Sequence, residues 1–126
     1  MSDHLHSGFG FLVTHGGTHT AEAWAEATAS GLVSIDPGMA SDRLLAAAKL
    51  RATVVGILVA AFRRVHSGTS ATEASAVSDE CLAAMAEPFG ASPWASSFEH
   101  PDIRREIGAY ITRNLLTAAD LALKAE

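Results

Sequence analysis

The sequence is short of what cross-links or charges a protein. It has one cysteine, Cys81, so no internal disulfide can form, and a reducing compartment is the simple reading. It has one tyrosine, two tryptophans and five phenylalanines in 126 residues. Charged residues make up 18% of the chain, below the usual ~25%. The formal net charge is -5, from 9 Lys+Arg against 14 Asp+Glu. That excludes a general nucleic-acid binder, which carries a basic face, and it disfavours anionic membrane surfaces. Long apolar runs are scarce too. The most apolar stretch, Ala52 to Phe62 (ATVVGILVAAF), would span ~16 Å as a helix against ~30 Å of hydrocarbon. Lys49 and Arg51 bound it on one side, Arg63 and Arg64 on the other. It reads as a helix of a protein core and not as a membrane span. Met1-Ser2-Asp3-His4 lacks the basic flank of a signal peptide, so the expected location is the cytoplasm.

What is abundant is alanine, with 25 residues. Alanine has the highest helix propensity, and it builds a close-packed core from small side chains. The hydrophobic share of 48% is too high for disorder, and the length suits one domain. The expected fold is all-α: a compact bundle of about four helices, arranged as two helical hairpins over residues 21–126. An extended Gly/His-rich arm, residues 1–20, precedes it. This arm holds four of the six histidines and four of the ten glycines. Phe9-Gly10-Phe11-Leu12-Val13-Thr14 has some strand character, but Gly10 interrupts it.

Local signals place the helices. Thr20 is a good N-cap for a first helix from about Ala21 to Ser30, with Glu22 where the dipole favours an anion and Gly31 as end signal. Trp24, Ala27, Thr28 and Ile35 fall near its inner face. Asp36-Pro37-Gly38 is a turn. Ser41 is placed to cap a second helix with an inner stripe that includes Leu44, Ala47, Val54, Leu58 and Phe62. Its segment 52–62 is apolar all round, so the helix is either central in the bundle or half of an oligomer interface. Gly56 would let another helix approach closely. Ser70-Ala71-Thr72-Glu73 matches a capping box opening a third helix, with Val77, Cys81, Ala84 and Met85 inward and Pro88 as its end. Residues 88–100 read as a loop. Pro101 opens the last helix at its favoured first position, with Ile107, Tyr110, Ile111, Asn114 and Leu115 in period.

Chemistry concentrates before the first helix. His15, Gly16, Gly17, Thr18, His19 and Thr20 could form an anion-binding nest of backbone N–H groups at a helix start. It is not a P-loop, because G-x-x-x-x-G-K-[ST] is absent. His4, His6, His15 and His19 could gather on a metal, but no Cys or carboxylate is interleaved, and no metal or cofactor is expected. Glu22 and Glu26 share a helix face and could serve a metal-dependent hydrolase with the histidines; a solvated acidic face is the simpler reading. Cys81 sits on an apolar stripe as a small hydrophobe, and no catalytic residue is assigned. Arg104 and Arg105 lie at the positive end of their helix and need acidic company, such as Glu99 or Asp102. Val55 and Val59 on the second helix, with Phe89, Trp94 and Phe98 of the loop, are the candidate interface residues.

Taken together, the sequence reads as a small non-enzymatic helical interaction protein that forms homo-oligomers. In style it looks like an accessory protein of a phage or mobile element, a virion component or an inhibitor of a host system. The alternative is a carrier for a small anionic ligand, such as a nucleotide, held at the Gly/His turn. Its expected partners are itself and either another protein or that anion.

Overall fold

A computed structural model describes residues 20–125. Five helices and no strand occur among the described residues: α1 (Ala21–Leu32), α2 (Ser41–Phe62), α3 (Ala71–Gly90), α4 (Ala95–Glu99) and α5 (Pro101–Ala125). The four long helices form an up-and-down bundle in which α1 packs on α2, α2 on α3, α3 on α5, and α5 closes back on α1. The short α4 caps one end, against α3 and α5.

Several helix ends follow their caps. Thr20 accepts a hydrogen bond from the Ala23 N–H at 3.1 Å, which satisfies one of the free donors of the first turn. Ser70 and Glu73 make the full reciprocal box, each bond 3.1 Å. Pro101 is the first residue of α5.

Other expectations need correction. Ser41 does not cap α2; it is the first helical residue and Ala40 holds the cap position without a side-chain bond. Gly31 lies inside α1, which ends at Leu32. Pro88 does not end α3 but sits within it. A proline here forfeits only the bond to the Ala84 carbonyl, and Ala84 is exposed, so water can take that oxygen. Burial of Phe89 and its stacking on Phe98, centroids 4.4 Å apart, hold the extra turn in place. The expected loop 88–100 therefore contains the end of α3 and all of α4. Ile35, expected inward, is 41% exposed.

The core runs along the bundle axis. Leu58, Met85, Ile111, Leu115 and Val54 are its largest fully buried apolar side chains. Trp24 of α1 stacks on Phe62 of α2, centroids 5.9 Å apart. Gly108 lets α5 come close to α3: a Cβ there would lie 3.1 Å from Leu82 Cδ1. Polar atoms inside are paired. Asn114 Nδ2 donates to Thr28 Oγ1 at 3.1 Å, and Thr28 donates in turn to the Trp24 carbonyl at 2.8 Å. Ser78 and Thr112 share a 2.7 Å bond between α3 and α5. Each bond stops a buried polar group from going unsatisfied, which would cost ~1–3 kcal/mol.

Candidate functional site

α2 is strongly apolar yet open on one side. Ser41–Phe62 is long and apolar enough to cross a membrane by length and composition, with a mean hydropathy of 1.9 over its richest window, yet only 28% of that window is buried. α1 and α3 cover one side, where Ala47, Leu50, Val54, Leu58, Ala61 and Phe62 point inward. The opposite side carries Leu45, Ala48, Lys49, Ala52, Thr53, Gly56 and Ala60, all exposed. Leu45 is 59% exposed, the largest such value among the exposed large hydrophobics.

The sequence left a central position in the bundle open to α2. It is not the central helix of the bundle, because one long face touches no other helix of the described chain. A Cβ on Gly56 would meet nothing within 4 Å, so no helix makes the close approach that Gly56 permits. Val55 and Val59 are half-buried at the edge of this face. Their position results from the 100° turn per residue, which puts them beside Ala52 and Gly56.

The loop aromatics lie elsewhere. Phe89 and Phe98 are 6% and 2% exposed, so in this fold they are core residues and offer no surface to a partner. Trp94 is half-buried, and Arg43 stands over its ring with 5.7 Å to the centroid.

The ionisable groups raised by the sequence are engaged locally. Glu22 binds Arg63 at 2.7 Å across the α1–α2 seam, and this hydrogen bond holds its carboxyl below the usual value. Glu26 is exposed. Arg105 pairs with Asp102 at 2.8 Å, whereas Arg104 donates from Nε to the Phe98 carbonyl at 3.0 Å. Burial pushes the Cys81 thiol up to about 11, with Glu80 adding to it. A thiol in that state is a poor nucleophile near neutral pH. Among the described residues no three His, Cys, Asp or Glu side chains gather as a metal site. Thr20 is committed to its cap; His15, Gly16, Gly17, Thr18 and His19 lie outside the described residues, as do His4 and His6.

Set against known protein families, curated proteins and solved structures, the chain matches none. The functional reading therefore rests on its own surface.

Proposed function

We propose that this chain is a small, non-enzymatic helical interaction protein whose exposed α2 face is an interface between two copies. One observation carries the reading: the strongly apolar α2 leaves Leu45, Ala48, Ala52, Gly56 and Ala60 uncovered on one side, around Lys49. Monomeric proteins rarely expose large contiguous apolar patches, and such patches mark interaction sites.

A second copy suits the face better than a membrane does. Interfacial helices insert large side chains such as Trp, Phe and Leu, and this face offers mainly Ala and Gly. Small residues serve instead to let two helix backbones come close. The face is also self-complementary. With two α2 helices antiparallel about a two-fold axis at Ala52, Leu45 meets the partner's Val59 and Ala48 meets the partner's Gly56. One helix strip of ~33 Å by ~10 Å is small beside the ~800 Å² per partner of a stable interface. The flanking grooves between α2 and α3, lined in part by Ile57, Ala60 and Ala84, extend it.

Light scattering should give twice the 13.1 kDa chain mass. Ala52→Arg should return a monomer with an unchanged helical spectrum, since Ala52 is exposed. Ala52→Cys should oxidise to a cross-linked dimer, because a residue on the axis faces its own twin. A monomer at every accessible concentration sinks the reading.

A further inference from the structure

The end of the bundle capped by α4 contains a second feature, independent of the α2 face. Between the α1–α2 turn, α4 and the start of α5 lies an apolar cleft of about 280 Å³. At the ~30 Å³ a water takes in the liquid, that is space for roughly ten heavy atoms. Leu32, Met39, Trp94, Phe98, Ile103 and Ile107 are among the residues lining it. Its polar lining side chains are Ser34 and Ser97. Phe98 is buried and stacks on Phe89, so this wall belongs to the core and is already in place. Ile103 is 38% exposed, and Ile35, 41% exposed, adjoins the lining residue Ser34. Two of the three exposed large hydrophobics among the described residues thus stand at or beside the opening.

No ionisable side chain lines the cleft among the described residues. Asp36, Arg43, Glu99, Arg104 and Glu106 belong to the elements around it, and all five stand outside its lining. The groove between α3 and α5 differs in this respect, since Asp79, Arg104, Arg105 and Arg113 line it. A charge brought into the apolar cleft would lose its water and meet no partner. An uncharged apolar molecule carries no such cost. Apolar space offers water few hydrogen-bond partners, and small apolar molecules fill it in preference. A protein partner suits the place less well. A stable interface covers ~800 Å² on each side, whereas the chain turns polar and exposed just beyond the lining: Asp36 lies two residues after Ser34, and Glu99 directly follows Phe98.

We propose that this cleft binds a small uncharged apolar molecule, an aromatic or branched alkyl compound of about ten heavy atoms. Its hydrocarbon part packs between Trp94, Phe98, Ile103 and Ile107. A concave apolar space with few polar groups is the usual form of a small-molecule site. The absence of charge from the lining sets the ligand class.

2-Phenylethanol, phenylacetate and phenethylamine are the probes. They are close in shape, and at neutral pH they are uncharged, anionic and cationic. Binding is read by Trp94 fluorescence and by calorimetry on the full chain. Trp24 is buried, is not part of the lining and supplies a constant background. 2-Phenylethanol should bind saturably, and both ions at least about tenfold more weakly, because neither charge finds a partner in the cleft. Ile103→Trp, which fills the mouth from an exposed position, should abolish binding while the melt stays in place. No saturable 2-phenylethanol signal, an ion that binds as tightly as the alcohol, or undiminished binding by the Ile103→Trp protein overturns the proposal. If Ile103→Trp fails to fold, the comparison of the three probes on the natural chain decides alone.

Discussion

Helices α2 and α5 do the same job with opposite compositions. α2 packs one face on α1 and α3, and α5 packs one face on α3, α1 and the short α4. α5 is amphipathic: Tyr110, Ile111, Asn114, Leu115, Ala118 and Ala119 are buried, while Arg104, Arg105, Glu106 and Arg113 are exposed. In α2 the exposed side mixes Leu45, Ala48, Ala52, Gly56 and Ala60 with Lys49 and Thr53. Burial within the chain therefore does not explain the composition of α2. Geometry sets how much of a helix its neighbours can cover, and it is about half for both. The difference lies in what is left over: mainly charge on α5, mainly small apolar residues around Lys49 on α2.

The largest effect should come from inside that shared half. Ile111 is fully buried on α5, and Ile111→Ala should cost ~2–5 kcal/mol in chemical denaturation through lost burial and a cavity. Leu45→Ala on the open face of α2 should stay within ~0.5 kcal/mol in dilute solution. Equal costs would break the contrast, because they would show Leu45 packed within its own chain.

Next comes the polar seam that joins the two hairpins. Thr28→Val keeps shape but removes the hydroxyl that accepts from Asn114. The stranded buried donor should cost ~1–3 kcal/mol. A neutral result would show that the amide turns to another partner.

The glycines sharpen the comparison further. Gly56 on α2 faces open space, so Gly56→Ala should stabilise the dilute protein by ~0.5–1 kcal/mol through helix propensity. The same change at Gly108 on α5 brings a Cβ to 3.1 Å from Leu82 and should gain less. A destabilised Gly56→Ala would instead reveal a helix packed on that face.

The smallest effect is pH. Glu22 and Glu73 have carboxyls held below the usual 4.5, through Arg63 and through the Ser70 cap. A depressed folded value means that these bonds stabilise the fold above about pH 4.5 and lose their effect as pH falls through the folded values. Acid titration of the melting temperature should therefore show a gentle decline below that point, shallower for Glu22→Gln.

Much of this fold was legible from neighbours in sequence. The Thr20 cap, the Ser70–Glu73 box, Pro101 at a helix start and the 3.6-residue stripe of α5 were all readable, because each depends on groups within a turn or two. The same local signals misplaced Ser41 and Pro88. A hydroxyl near a helix start does not have to cap it, and a proline in a last turn loses a bond that water replaces. The interface residues were half legible. Apolarity picked out α2, but Val55 and Val59 lie at the edge of its open face. Phe89 and Phe98 looked like anchors and became core. The cleft was not legible, because it needs α4 and residues from every long helix.

The order of residues was enough for class, the four long helices and several helix ends, since those energies are local. Which face of α2 is covered and where a cavity opens depend on contacts such as Glu22 with Arg63, 41 residues apart, and Thr28 with Asn114, 86 apart. These pairings exist only once the helices pack, and packing leaves over the surfaces on which binding depends.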